Sequence, residues 1–268
     1  MRMHMGSMKT VVLALLAIGV VAGDAAAHYT YIAPQSFRVA AGDTVLIGFH
    51  SGDGFPESSA ILKRLQDPTI HKDGIAFKLD GLKEDGKRLA AEFKVASPGH
   101  VIVTAVNGTG SETMKPDSFE KYLKEEGLNA IVDARAQRGE SAKPGRERYT
   151  MYAKTIFLAG APNDGYKAAV GLPLEIVPEK DPYGLKSGEP LPVRVLLRGV
   201  PVANLEVIAA STAAGFKPHI IGKTDANGRV NIPVSAGKWR LHTIHMERAL
   251  GSDADWESVW TTLTFEIS

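Results

Sequence analysis

Cysteine is absent from all 268 residues, so neither disulfides nor thiolate metal sites can form. A metal would have to be held by histidine, carboxylate, amine or backbone oxygen. The chain also lacks an excess of either charge. Its 31 Lys and Arg stand against 30 Asp and Glu with no basic stripe, which argues against a nucleic-acid partner. Beyond the N-terminal segment no apolar run approaches the ~20 residues that cross a bilayer, so no membrane span is expected. Catalytic signatures are missing as well: there is no Gly-x-Ser-x-Gly elbow, no His-Glu-x-x-His and no phosphate loop.

What is present begins with a segment of the kind that directs export. Lys9, helped by Arg2, supplies the positive start. Val11 to Val21 is almost wholly apolar, and Ala25-Ala26-Ala27 offers small residues for cleavage. Residues 1–7 read as an upstream extension. Cleavage after Ala27 predicts a periplasmic chain that begins with His28. An α-amine and an imidazole on one residue make a two-nitrogen chelate for a transition metal.

The remainder reads as mainly β. Thr44 to His50, Arg88 to Val95 and the β-branched run His100 to Val106 are strands, and Tyr149 to Leu158 reads the same way. Between them lies a helical insert near 117–139. Asp117 is placed to cap Ser118 to Glu126, with Glu120 completing a capping box, and Leu128 to Arg138 forms a second short helix. Residues 159–170 make a linker rich in Gly and Pro. After it, Leu172 to Val177, Leu191 to Leu197, Glu206 to Ala210, Arg229 to Val234, Trp239 to His245 and Thr261 to Ile267 read as strands. Asp225-Ala226-Asn227-Gly228 reads as a hairpin turn. The expected fold is two tandem β-sandwiches: residues 28–160 immunoglobulin- or cupredoxin-like, and residues 171–268 transthyretin- or carboxypeptidase-regulatory-like.

Several motifs resemble a bacterial periplasmic family of NikM-like proteins, labelled for a nickel-uptake substrate-specific region. They are Ala27-His28-Tyr29-Thr30-Tyr31-Ile32-Ala33-Pro34, Phe119 to Leu128, Arg148-Tyr149 with Tyr152-Ala153-Lys154, Gly171 to Glu175 through Asp181-Pro182-Tyr183, Thr224 to Arg229, and Asp255-Trp256-Glu257-Ser258. The resemblance spans the mature chain and implies a role in nickel or cobalt uptake. Carried over residue by residue, the family's histidine after the signal is His28. Its histidine in the penultimate strand is His245.

His28, His245 and His50 are therefore the candidate metal ligands, with nickel, cobalt or copper as the ion. His245 closes the strand Trp239 to His245, where alternation puts it on the opposite face from His242. It reads equally as a ligand or as a core-edge histidine. His50 opens the Gly-rich loop Ser51 to Glu57. Asp255 and Glu257 are candidates to orient His245 from outside the coordination sphere, and Trp256 and Trp260 are expected core anchors. His100 is expected to be exposed, and His71 and His219 to lie in loops. Three functions fit these residues. The first is a metal-binding protein serving a membrane transporter. The second is a non-catalytic carbohydrate or peptide module of the envelope. The third is a copper oxidase with an N-terminal histidine brace.

Overall fold

A computed structural model describes residues 28–268; the expected signal segment and the upstream extension lie outside the described residues. The first half contains β1 (Thr30–Pro34), β2 (Arg38–Val39), β3 (Thr44–Ser51), β4 (Leu65–Lys72), β5 (Ile75–Lys78), β6 (Lys83–Asp85), β7 (Arg88–Lys94) and β8 (Gly99–Met114). Helices α1 (Pro116–Glu125) and α2 (Asn129–Gln137) follow, then β9 (Gly145–Ala159). The second half contains β10 (Leu174–Pro178), β11 (Pro190–Leu197), β12 (Val200–Pro201), β13 (Glu206–Ser211), β14 (His219–Lys223), β15 (Arg229–Pro233), β16 (Gly237–Arg248) and β17 (Trp256–Ile267).

Nine strands make a central sheet in the order β14-β13-β16-β17-β9-β8-β4-β5, with β2 added against β9. Strands β17 and β9 run parallel from Trp256↔Glu147 to Thr264↔Thr155, which makes the sheet continuous across both halves of the chain. A four-stranded sheet, β1-β3-β7-β6, lies on one face together with the helices. A smaller sheet of β10, β11, β12 and β15 lies on the other. The chain is thus mainly β, with sandwiches built on both faces of a shared sheet and a short helical insertion between β8 and β9. Alternation along β16 and β17 sorts the two faces. Trp239, Leu241, Leu263 and Phe265 pack with Leu174, Ile176 and Val193 of the smaller sheet. Ile244 and Trp260 meet Tyr29 and Met151 on the other side, and Met246 and Trp256 meet Phe119 and Leu123 of α1.

The helical insert forms where the sequence places it, but by a different start. Helix α1 begins at Pro116 with Lys115 as the preceding residue, and no side chain caps it. Proline's fixed φ starts the helix, which leaves Asp117 inside the first turn and Glu120 paired with Lys124 at 2.6 Å instead of in a capping box. Its end is a Schellman turn: Leu128 N–H donates to Leu123 O, Gly127 N–H donates to Lys124 O, and Gly127 takes φ 71°. Gly145 lets the helix dock closely, since a Cβ there would lie 2.1 Å from the Phe119 ring.

Three other expectations are corrected. Asp225 to Gly228 does form a turn, closed by Gly228 N–H to Asp225 O, but its flanking strands go to different sheets. Of its residues only Gly228 has positive φ, so this is not a two-residue hairpin. His100 is buried, not exposed. Its Nε2 lies 2.8 Å from Asp181 Oδ1 and its Nδ1 3.1 Å from Asn163 Oδ1, which ties β8 to the linker and to the second half. His71 lies in β4, 3.0 Å from Thr104 Oγ1, and His219 begins β14.

The linker is held by a buried ion pair. Lys154 Nζ sits 2.6 Å from Glu175 Oε1 with both side chains enclosed. Glu175 also accepts from the N–H groups of Val170, Gly171 and Leu172, and Lys154 donates to Ala168 O. Burial pulls the Lys154 pKa down, and the carboxylate beside it opposes that shift. Removing one partner strands a charge in the interior, at a cost of about 3–5 kcal/mol. Glu175→Ala is expected to lose stability of that order in chemical denaturation and to raise hydrogen exchange at residues 168–172. A loss below about 1 kcal/mol would show that the pair is not needed.

Candidate functional site

The described chain starts at an exposed histidine and is buried from the next residue onward: Tyr29 to Pro34 are enclosed without interruption. Two threonines fix this segment to the central sheet. Thr262 Oγ1 donates to Thr30 O at 2.8 Å, and Thr264 Oγ1 donates to Ile32 O. Antiparallel pairing with β3 holds the other side of β1, and Gly52 N–H donates to Tyr29 O at 3.0 Å. His28 is thereby held at the edge of a rigid strand, with its Nδ1 3.1 Å from Asp53 Oδ2. Asp53 lies in the Gly-rich loop that follows β3.

Behind His28 is a buried polar cluster. Tyr29 OH donates to Glu126 Oε1 at 2.8 Å, and His242 Nε2 lies 2.9 Å from Glu126 Oε2. The Tyr29 and His242 rings are in contact, with centroids 4.4 Å apart. Burial pulls the His242 pKa down more than Glu126 raises it. Burial pushes Glu126 up, but the bonds and charges of His242, Tyr29 and Arg240 outweigh it and leave its pKa lowered. Because a carboxylate accepts, His242 Nε2 carries the proton of this bond, and among the described residues His242 Nδ1 has no partner. Burial and the adjacent Glu126 push the Tyr29 phenol far up. A second group lies beside the first: Tyr122 OH and Ser258 Oγ both donate to Glu147, and Trp260 Nε1 donates to Ser258 Oγ. Burial raises the Glu147 pKa.

Arg240 completes the cluster. Its guanidinium lies 4.0 Å from the centre of the Tyr29 ring, 4.9 Å from Phe216 and 5.6 Å from Tyr31.

The three candidate histidines have separate surroundings. His28 meets Asp53. His50 is fully buried, stacked on Tyr31 at 4.9 Å, with Nδ1 2.8 Å from Ser58 Oγ. His245 points from the face of β16 opposite His242, with Nε2 3.6 Å from Glu247 Oε2. Asp255 and Glu257 are held by Arg146 and Arg148 rather than by His245, while Trp256 and Trp260 are buried as expected. Among the described residues no group of three or more His, Cys, Asp or Glu is arranged to hold a metal ion. A cleft of about 390 Å³ opens elsewhere, beside His71, Lys72, Asp73 and Asn163, and none of the candidates lines it. Sequence reasoning missed Arg240, His242, Glu126 and Tyr29 as one unit.

With the shared-sheet fold and this cluster in view, the chain is a β-sandwich protein with a pinned N-terminal edge. It belongs to the family described as Domain of unknown function (DUF4198), which matches residues 25–247. Nothing among curated proteins matches it. Solved structures similar to it include the D0-D1 domain of intimin, at 14% identity and TM-score 0.21 over 88% of this chain and 97% of that one. The three N-terminal domains of the bacteriophage RB49 outer capsid protein Hoc are similar at 11% identity and TM-score 0.19, over 89% of this chain and 59% of that one. Trypsin-activated alpha-2-macroglobulin from Escherichia coli is similar at 8% identity and TM-score 0.24, over 88% of this chain and 15% of that one. TM-scores this low carry no inference about this chain.

The burial of His50 sets a pH dependence. Desolvation, helped by the Arg88 charge, pulls its pKa from 6.5 to about 4. The folded state thus resists a proton that the unfolded chain accepts. The stability this contributes is complete above pH 6.5, falls as pH drops toward 4, and is lost below that, for a total of up to about 3 kcal/mol. His242 is shifted in the same direction. His50→Gln is expected to flatten the decline in unfolding free energy between pH 6.5 and 4. An unchanged slope would show that His50 is not protonated on unfolding in that range.

Proposed function

We propose that this is an exported metal-handling protein whose chain end binds one divalent transition ion. The observation that carries the reading is the 3.1 Å between His28 Nδ1 and Asp53 Oδ2 on a surface edge whose backbone is fixed. Two donors each ~2.0–2.1 Å from one ion stand about 3 Å apart when the angle at the ion is close to a right angle. If cleavage follows Ala27, the α-amine of His28 adds a third donor and closes a chelate ring with Nδ1. The set is then amine, imidazole and carboxylate from two residues. It needs neither His50 nor His245. Nickel, cobalt and copper all suit such donors, and copper binds most tightly by intrinsic order. The resemblance to the NikM-like nickel-uptake family supports a metal cargo. The exposure of His28 and Asp53 fits an ion that must be passed onward to a membrane transporter.

The same nitrogens would serve a copper oxidase, but a chelate with one imidazole falls short of the second imidazole a brace requires, which favours carriage over oxidation. Both metal and amine proton compete for one lone pair, and the free amine has a pKa of about 7.7–8.0, so binding should tighten as pH rises through that range. Calorimetric titration with nickel and copper is expected to give one site. His28→Ala and a form with one extra residue before His28 should each weaken it at least about tenfold, and Asp53→Asn should weaken it less. Equal affinity in all four proteins would contradict the assignment.

A further inference from the structure

The geometry points to a second, independent site: we propose that Arg240, in its aromatic enclosure, receives the carboxylate of a small organic anion with an apolar body. Arg240 is wholly buried, yet among the described residues no acidic side chain forms an ion pair with it. The nearby carboxylates are already engaged, Asp53 with His28 and Glu126 with Tyr29 and His242. Its Nη1 makes two long contacts, 3.3 Å to Gly52 O and 3.5 Å to Asp53 O. Among the described residues its Nε and Nη2 have no partner. Those two N–H groups form the side-on edge of the guanidinium, the fork that grips a carboxylate through two parallel hydrogen bonds.

A buried cation without a carboxylate costs the fold stability, and an apolar residue of similar size would be tolerated there at least as well. The cation–π contacts with Tyr29, Phe216 and Tyr31 return only part of that cost. An arginine retained under those terms fits a role in binding. The enclosure also has a cover. Phe55 and Phe216, both half-buried, meet at 5.0 Å, and they come from the loop after β3 and the loop after β13. Phe55 stacks on Tyr31 at 5.5 Å, and Phe216 holds φ 60°, a left-handed conformation that a bulky side chain rarely adopts. Moving these two rings aside would expose the free edge between aromatic walls. Such walls favour a weakly hydrated, singly charged carboxylate over phosphate.

Benzoate is the probe, benzamide its uncharged isostere, and inorganic phosphate the hydrated anion. Benzoate is expected to raise the unfolding midpoint of the wild-type protein saturably and to shift the Arg240 Nε–H resonance, whereas benzamide and phosphate should do neither. Arg240→Lys keeps the charge without the fork and should bind benzoate at least about tenfold more weakly. Arg240→Met should unfold at or above the wild-type midpoint and lose the response. The wild-type Nε–H resonance decides the matter even where a variant folds poorly. The proposal is overturned if benzoate leaves that resonance unmoved, if benzamide matches benzoate, if phosphate binds and benzoate does not, or if Arg240→Lys keeps wild-type affinity. None of these outcomes bears on metal binding at His28.

Discussion

Two hydroxyls hold strand β1 in place. Thr262 and Thr264, on one face of β17, donate to the carbonyls of Thr30 and Ile32 and so fix β1 against the central sheet. Each such bond contributes only about 1 kcal/mol, but here each satisfies a backbone carbonyl that is buried and has no water to turn to. Their placement depends in turn on the parallel seam between β17 and β9, which brings C-terminal residues beneath β1. An exposed His28 is set at the end of a rigid strand because Tyr29 and its successors cannot leave the core without exposing aromatic surface.

The same fixation packs charge into the interior. Tyr29 carries a hydroxyl inward, and Glu126, presented by the Schellman end of α1, meets it there together with His242. Glu126 stays ionised because a phenol and an imidazole donate to it, and Arg240 adds its field from beyond the Tyr29 ring. One loop meets both groups: the Asp53 carboxylate lies against His28 and its backbone carbonyl accepts from Arg240. The outer edge and the inner cluster thus share contacts with residues 52 and 53.

Much of the fold was legible in the chain. Alternation in Arg88 to Lys94 and the β-branched run in β8 are local signals, and local signals survive without tertiary context. The helical insert was legible from Gly127 and Gly139 as stops, though Pro116 rather than Asp117 sets its start. The candidate site was legible only at His28, through the small residues before it. Arg240 and His242 escaped because alternation predicts that one face of β16 is polar and wet, whereas β1 and α1 cover that face and both faces are buried. Nothing local could announce it, since Glu126 lies 116 residues from His242. His100 misled for the same reason: its partners, Asn163 and Asp181, are 63 and 81 residues away. Single polar residues read as exposed until the distant group that satisfies them is known.

The proposed metal site rests on cleavage after Ala27. Intact mass and terminal sequencing of the protein recovered from the cell envelope test this most directly. It predicts a mature chain that starts at His28 with an unmodified α-amine. A chain that starts at any other residue, or a blocked amine on His28, would contradict it.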